Sequence, residues 1–366
     1  MDLSIIIPSY NEGNNVFMIT HRIEQALATI HLEYEIWFID DSRDNTPQLL
    51  NQLADQNHHV HFVHRTETRG LGTAVVEGFQ RSAGKNIIVM DADLQHPPEL
   101  LPEIYLALQT HDLVIPSRFI DGGSDGGLNL FRKLVSLVAR KIGQFGIKKF
   151  RNISDCTSGY FGLQRKVIQN VKLNPSSWKI LMEILVKGHY QSCKEIPYHF
   201  VQRDVGESKM SVKEQWNYLR HLVQLIWQSP ADRRFYLFCF VGVLGLFVNL
   251  VIFNLLLDVK LYPLYASVLA SLLSMVHNFI WHDFVTWNHH PNTSNWKRIL
   301  RFPKFLVVSL IGIGITVLFV HIALVMKLSP MLGQISGIIL GVFWNFFANH
   351  HWTWKTKAGD PSLRSG

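Results

Sequence analysis

Two aspartates and a glutamine stand at alternate positions after an apolar run, in the stretch VMDADLQHPPE at residues 89–99. If the chain stays extended, Asp91, Asp93 and Gln95 share one face, because strand side chains alternate. The prolines that follow favour extension and then a helix start. Carboxylate and amide oxygens suit Mg²⁺ or Mn²⁺, and protein-bound Mg²⁺ commonly shares its ligands with substrate phosphates. The stretch predicts a clamp for a diphosphate and a divalent metal; a solvated strand end is the simpler alternative.

Apolar runs alternate with helical patterns around this stretch. We predict strands at 3–10, 34–42, 60–65, 86–93 and 112–119, with helices at 14–30, 44–57, 72–83 and 98–110. This order is typical of an α/β fold with a doubly wound, mainly parallel sheet. Such sheets bind ligands beyond the carboxyl ends of their strands. Polar residues gather at those ends: Tyr10, Asn11, Glu12, Asp40, Asp41, Arg65, Asp91, Asp93 and Arg118.

The last third of the chain is much more apolar. Four runs without charged residues, apart from histidines, span 235–257, 261–281, 305–326 and 328–348, and each is long enough to cross a bilayer as a helix. The region repeats with a period of about 67 residues, so that Asn278-Phe279 matches Asn345-Phe346. We therefore predict an all-α domain of four transmembrane helices, built from two parallel hairpins.

Charge and cysteine content favour a cytosolic location for the first part of the chain. Basic residues concentrate in the 283–304 loop and in the tail, which predicts a cytoplasmic location for that loop and for both termini. The net charge of +7 fits such loops and contact with anionic lipid, and we expect no nucleic acid partner. Three dispersed cysteines indicate no disulfide framework.

For the polar intramembrane residues Asn249, Asn254, His277, His321 and Asn345, interhelical hydrogen bonding is favoured over substrate contact.

Several motifs together resemble a known family. SIIIPSYNE, FIDDS, RGLGTAVVEGF, VMDADLQHPPE, PSRF, DCTSGYFGLQR and RDVGESKM are similar to those of family 2 glycosyltransferases of the dolichol-phosphate mannose synthase type. The resemblance implies a GT-A-type fold over the soluble part. Residues 235–355 resemble the four-helix GtrA-type membrane family. One departure concerns the segment DDSRDNT, which is one residue shorter than the family pattern and leaves base specificity open.

The resemblance also implies roles for individual residues. Those expected to bind the nucleotide sugar are Pro8, Tyr10, Asn11, Glu12, Asp40, Asp41, Asp91, Ala92, Asp93 and Gln95. Asp91, Asp93 and Gln95 are expected to hold Mg²⁺ or Mn²⁺. Those expected at the lipid phosphate are Arg118, Arg132, Ser136, Arg203, Ser208 and Lys209, and the acceptor loop contains Asp155, Ser158 and Gly159. Asp91, Asp93, Arg118 and Glu183, an acidic residue near the sugar, form the expected catalytic set.

The predicted activity is metal-dependent, inverting transfer of a sugar from a nucleotide-diphosphate sugar to a dolichyl or polyprenyl monophosphate at the cytosolic membrane face. The family favours mannose from GDP-mannose, and UDP-glucose remains an alternative donor. A processive polysaccharide synthase is disfavoured because no Gln-x-x-Arg-Trp motif occurs. A non-catalytic protein that translocates sugar lipids or serves as a scaffold is the alternative from another class.

Domain boundaries follow from these patterns. We predict a glycosyltransferase domain at 1–210, an amphipathic interface helix at 211–232, a transmembrane domain at 233–355 and a cytoplasmic tail at 356–366. The stretches 128–147 and 212–228 separate apolar from basic residues, which is typical of helices that lie on a membrane surface. Packing against the sheet is the alternative for each.

Overall fold

The computed structural model describes residues 1–67, 70–124, 126, 130–175, 179–200, 212–286 and 302–348. The chain divides into two compact units, Met1–Ser229 and a second unit that begins at Pro230. This division falls inside the segment 211–232 that the sequence analysis assigned to an interface helix.

The first unit is built on a seven-stranded sheet. In its described residues the strands are β1 (Leu3–Ser9), β2 (Tyr34–Asp40), β3 (Val60–His64), β4 (Asn86–Val89), β5 (Leu113–Ser117), β6 (Phe161–Gln164) and β7 (Cys193–Pro197). Their order across the sheet is β3-β2-β1-β4-β6-β5-β7. Every neighbouring pair is parallel except those of β6, which runs antiparallel to both β4 and β5. The predicted mainly parallel sheet is confirmed.

Helices cover both faces of this sheet. They are α1 (Val16–Leu27), α2 (Thr46–Gln56), α3 (Leu71–Arg81), α4 (Leu101–Leu108), α5 (Leu130–Gly146), α6 (Ile180–Lys187) and α7 (Val212–Gln228). Strand residues alternate between two buried cores, since Ile5 and Ile7 face one and Ile6 faces the other. The first core contains α1, α2 and α4, and the second contains α3, α6 and α7. Layers on both faces are the doubly wound arrangement.

The second unit is helical. In its described residues it contains α8 (Pro230–Asp258), α9 (Pro263–Trp281), α10 (Phe302–Val325) and α11 (Pro330–Ala348). Three segments are long and apolar enough to cross a membrane, namely Asp232–Asp258, Pro263–Thr286 and Pro303–Val325. α11 contains a shorter apolar segment, Pro330–Val342, which does not reach that length. A fourth span and the cytoplasmic orientation therefore stay predictions.

The sequence repeat appears again in the packing of these helices. Gly245 lies against the side chain of Asn278, and Gly312, 67 positions after Gly245, lies against Asn345. A buried chain of hydrogen bonds also joins three of the helices. Gln334 donates to Asn249 (2.7 Å) and accepts from Ser267 (2.7 Å). Asn249 is thus held between helices, as the sequence analysis favoured.

Candidate active site

The aspartates that follow β4 lie in a turn. β4 ends at Val89, and the chain turns at residues 92–94, where Leu94 has a φ of 61°. The backbone N–H of Asp91 donates to Nδ1 of His96 (3.0 Å), and the N–H of Gln95 donates to Oδ1 of Asp93 (3.1 Å). The extended conformation considered for this stretch is therefore replaced by a turn. The predicted helix start after the prolines is confirmed, because a short 3₁₀ turn at Pro98–Leu100 leads into α4.

The donor atoms of this turn fit a hard divalent cation. Asp91, Asp93 and Gln95 offer two carboxylates and an amide oxygen, and all three are half-buried rather than sealed. Among the described residues no cluster of three or more His, Cys, Asp or Glu forms a metal site. Two carboxylates and one amide are fewer donors than an octahedral Mg²⁺ site requires. That is the arrangement expected when a nucleotide diphosphate supplies further oxygens.

The two aspartates at the end of β2 are buried and bound within the fold. Asp40 accepts hydrogen bonds from the Ser9 hydroxyl (2.9 Å) and from Ser42, and Nδ1 of His64 lies 2.7 Å from its Oδ2. Asp40, the last residue of β2, therefore ties the ends of β1 and β3 to the end of β2. Its predicted contact with the base stays a prediction.

Asp41 forms a buried, two-point ion pair with Arg65. Nε and Nη2 of Arg65 donate to Oδ1 and Oδ2 of Asp41 at 2.8 and 2.6 Å. Oδ2 also accepts the backbone N–H of Gly70 (2.8 Å). Gly70 has a φ of 127°, which favours glycine, and it immediately precedes α3. Asp41 therefore holds Gly70 and the start of α3 against the strand ends.

The loop after β1 is tied to the loop after β2. The backbone N–H of Asn11 donates to Ser42 (2.7 Å), and the side chain of Asn11 accepts the N–H of Arg43 (2.9 Å). Asn11 has a φ of 58°, a conformation that Asn tolerates better than most residues. Asn15 donates to Glu12 (2.7 Å), and Tyr10 remains 39% exposed. The residues predicted to bind the nucleotide therefore line one edge of the sheet.

The acceptor loop meets the aspartate turn because β6 is antiparallel. The loop at Asp155–Gly159 precedes β6, so it lies at the edge where β4 ends. Gly159 lies against Asp91 so closely that a Cβ there would be 3.3 Å from its Oδ2. Nε and Nη2 of Arg118 both donate to Oδ2 of the fully buried Asp155, at 3.0 and 2.9 Å. Of the predicted site residues, Asp91, Arg118, Asp155 and Gly159 thus converge.

Lys179 is a cation at this site that the sequence analysis missed. It immediately precedes α6, and its Nζ donates to the carbonyl of Thr157 in the acceptor loop (2.9 Å). Burial, opposed by Asp155 and Asp91 and assisted by Arg118, lowers the pKa of Lys179 to about 7. A lone lysine outside any recognised motif carried no signal in the sequence.

Aromatic rings form one wall of the site, and this wall was also not predicted. His96 stacks on Tyr160 with the ring centres 4.9 Å apart, and the Tyr160 hydroxyl donates to the carbonyl of Pro97 (2.9 Å). Phe200 lies under the guanidinium of Arg118, 5.0 Å from its ring centre. Tyr198 packs edge-on against Tyr160 and His96. The wall thus joins the aspartate turn to the Arg118–Asp155 pair.

Glu183, predicted near the sugar, is buried in a helix contact. Its Oε1 accepts the backbone N–H of Asn174 (2.7 Å) and pairs with Lys187 one turn along α6. Its Oε2 lies 3.9 Å from Nε2 of His221 on α7. Burial lowers the pKa of His221, although Glu183 opposes that shift. The structure shows Glu183 joining α6 to α7; its proximity to the sugar stays a prediction.

The remaining residues predicted at the lipid phosphate are not all described. Arg132 and Ser136 lie in α5, but their side chains fall outside the described part. Arg203, Ser208 and Lys209 lie outside the described residues. Their predicted roles stay predictions.

Comparison with known proteins identifies the family. Residues 4–172 match the model of glycosyl transferase family 2, and residues 237–360 match the GtrA/DPMS transmembrane domain. A dolichol-phosphate mannosyltransferase of Pyrococcus furiosus is 36% identical over 97% of this chain and 100% of the relative. That of Saccharomyces cerevisiae is 32% identical over 70% of this chain and 98% of the relative. An undecaprenyl-phosphate mannosyltransferase of Micrococcus luteus is 32% identical over 58% of this chain and 88% of the relative. The chain therefore belongs to the family 2 glycosyltransferases of the dolichol-phosphate mannosyltransferase type, with a GtrA/DPMS transmembrane domain.

Proposed function

We propose that this enzyme transfers mannose from GDP-mannose to a dolichyl or polyprenyl monophosphate, with inversion at the anomeric carbon and with Mg²⁺ or Mn²⁺ as cofactor. The observation that carries the proposal is the close approach of Gly159 to Asp91. It joins the diphosphate side of the site to the Arg118–Asp155 pair on the acceptor side. The names of the relatives supply mannose and the lipid phosphate class.

The chemistry needs no general base. The second pKa of a phosphate monoester is about 6, so the acceptor is largely dianionic at pH 7. An acceptor oxygen forms a bond to the anomeric carbon while the bond from that carbon to the diphosphate oxygen breaks. The bonding electrons leave with the nucleoside diphosphate. The absence of a base paired with a nucleophile among the described site residues is therefore consistent with the proposed reaction.

Charge is the main difficulty, because two anions must approach each other. Arg118 supplies positive charge beside the acceptor loop, and Lys179 adds to it when its amine is protonated. An arginine fork matches phosphate geometry well. Asp155 holds Arg118 in place through two hydrogen bonds. A divalent cation held by Asp91, Asp93 and Gln95 would supply Lewis-acid stabilisation of the departing diphosphate.

The surface of the first unit supports attachment to a membrane. α5 and α7 are joined by a hydrogen bond from the Tyr218 hydroxyl to the carbonyl of Ala139 (2.6 Å). Large apolar side chains on both helices remain exposed, among them Phe145 (72%), Trp216 (69%) and Trp227 (55%). Exposed apolar residues on helices with a polar opposite face favour the membrane surface. We propose that α5 and α7 hold the catalytic unit at the cytosolic face, where the acceptor phosphate lies.

A transfer assay with purified full-length protein tests the proposal. Radiolabelled GDP-mannose and UDP-glucose are each offered with dolichyl and undecaprenyl phosphate, in the presence of Mn²⁺ or EDTA. We expect labelled lipid from GDP-mannose only, little product in EDTA, and a β-linkage by NMR. Asp91→Ala should lose nearly all turnover.

Transfer from UDP-glucose alone would replace the proposed donor by the alternative one. Absence of any transfer, together with absence of metal-dependent nucleotide binding, would favour a scaffold or translocation role. Full turnover by Asp91→Ala would refute the assignment of the metal and diphosphate side.

A further inference from the structure

Tyr198 occupies a fixed position between the two halves of the site. It follows β7, and its backbone N–H donates to the carbonyl of Ser117 (3.2 Å) while its own carbonyl accepts the N–H of Ser124 (3.0 Å). Its ring packs edge-on against Tyr160, with the ring centres 5.9 Å apart, and near His96 at 6.2 Å. Both backbone and ring are therefore held, and the side chain is 3% exposed.

The hydroxyl of Tyr198 has no hydrogen-bond partner in the described part of the chain. The buried Tyr160 and Tyr218 and the half-buried Tyr190 are satisfied. Tyr160 donates to Pro97 (2.9 Å), Tyr190 to Leu185 (3.1 Å) and Tyr218 to Ala139 (2.6 Å), in each case to a backbone carbonyl. Buried polar groups in folded proteins are nearly always paired, so an unpaired one calls for an explanation. A ligand that completes the pairing is one.

The surroundings indicate what the hydroxyl would bind. Phe200 contacts the Tyr198 ring on one side and lies under the guanidinium of Arg118 on the other. His96, which the Tyr198 ring also approaches, has its Nδ1 3.6 Å from Oδ2 of Asp91. The two rings that contact Tyr198 thus lie against Arg118 on the acceptor side and against Asp91 on the diphosphate side.

The hydroxyl is equipped to donate a proton in a hydrogen bond. Burial raises the pKa of Tyr198; Arg118 opposes the shift, while Asp155, Asp91 and Asp93 reinforce it. The group therefore stays protonated through the physiological range. A phenol beside an anionic ligand forms a short, strong O–H···O⁻ bond.

We propose that the Tyr198 hydroxyl donates a hydrogen bond to a phosphate oxygen of bound substrate, and so orients it for transfer. This inference rests on the proposed function. The phosphate can be that of the nucleotide diphosphate or that of the lipid acceptor, because the rings around Tyr198 contact both Asp91 and Arg118. An unpaired hydroxyl without such a role would only weaken the fold.

Tyr198→Phe tests the inference because it removes the hydroxyl and keeps the ring. We expect kcat/KM to fall about tenfold, which corresponds to about 1.4 kcal/mol, while the melting temperature stays the same or rises. Tyr190→Phe is the matched control, since its hydroxyl bonds only to the Leu185 carbonyl. That variant should melt at a lower temperature and keep wild-type kcat/KM.

Two binding measurements separate the possible partners and do not depend on the sugar. Calorimetric titration of wild type and Tyr198→Phe with inorganic pyrophosphate and Mn²⁺ measures the affinity of the diphosphate side. Titration with inorganic phosphate measures the affinity of the acceptor side. Weaker binding of pyrophosphate alone by Tyr198→Phe assigns the hydroxyl to the donor, and weaker binding of phosphate alone assigns it to the acceptor.

The inference is overturned if Tyr198→Phe matches wild type in both titrations and in kcat/KM for both substrates. It is also overturned if every loss of activity is accompanied by a lower melting temperature. A wild type that transfers nothing from GDP-mannose would refute the proposed donor instead, and the two titrations would still decide the role of Tyr198.

Discussion

Replacing Asp155 by Asn gives a quantitative test of the acceptor side. Asp155 is fully buried, and its Oδ2 accepts both Nε and Nη2 of Arg118. Asp155→Asn keeps the side-chain shape but removes the counterion. Loss of one partner from a buried ion pair costs about 3–5 kcal/mol. The Arg118 side chain is 14% exposed and can turn partly to water, so we expect the lower end, about 3 kcal/mol of unfolding free energy.

Turnover should fall for a separate reason. Removing the carboxylate raises the local positive potential, which favours binding of the anionic acceptor. Arg118, however, is no longer held where the acceptor phosphate must lie, and small errors in position cost about 100-fold in rate, or about 2.7 kcal/mol. We therefore expect kcat to fall about 100-fold, with little change in KM for the lipid phosphate.

Chemical denaturation in detergent measures stability, and initial-rate kinetics with varied lipid phosphate measure kcat and KM. Glu77→Gln is the matched control, because Nε and Nη2 of Arg81 reach a single oxygen of Glu77 on an exposed face of α3. We expect that variant to lose less than about 1 kcal/mol and to keep full activity. If Asp155→Asn loses stability but keeps wild-type kcat, the pair is structural and Arg118 does not orient the acceptor.

Three further changes probe other parts of the molecule. Lys179 has a pKa lowered to about 7, so the unfolded chain binds more protons above that pH. The unfolding free energy of wild type should therefore rise by up to about 2 kcal/mol between pH 7 and pH 9 relative to Lys179→Met, and parallel pH profiles would contradict the burial of this amine. Gly70→Ala introduces a side chain at a φ of 127° and should lower the unfolding free energy by about 1–3 kcal/mol in chemical denaturation. It should also weaken GDP binding measured by calorimetry. An unchanged unfolding free energy and GDP affinity would show that the backbone at Gly70 relaxes to accept the side chain. Gln334→Leu breaks the buried bonds to Asn249 and Ser267 and should lower the stability of the helical unit by about 1 kcal/mol in detergent, whereas an unchanged midpoint would make those bonds dispensable.

Local patterns predicted the parallel half of the sheet. β1 and β2 are mostly apolar runs, and the polar residues after them mark the strand ends. β6 and β7 were not predicted, because FGLQ has four residues and CKEIP is largely polar. β6 pairs with β4 and β5, and β7 pairs with β5, in every case across more than 40 residues of chain. Strand formation that depends on distant partners has little signature in a short window.

The same reasoning explains which site residues were predicted. Asp91 and Asp93 share a local spacing with Gln95, so a joint role could be predicted from the sequence alone. Lys179 and Tyr198 stand singly, and each reaches the site only because β6 and β7 bring the chain back to the sheet edge. Proximity created by sheet topology cannot be derived from spacing along the chain.

The reversed direction of β6 also has a consequence for how such enzymes diversify. Loops that follow β1, β2 and β4 are assigned to the nucleotide, whereas the loop preceding β6 and the segments after β5 and β7 are assigned to the acceptor. One antiparallel strand therefore brings two separate stretches of chain to a common edge without interleaving them. The two stretches meet where β6 pairs with β4 and where Gly162 packs on Ile104 and Leu108. We therefore expect substitutions in the second stretch, away from that boundary, to change acceptor preference more than donor recognition.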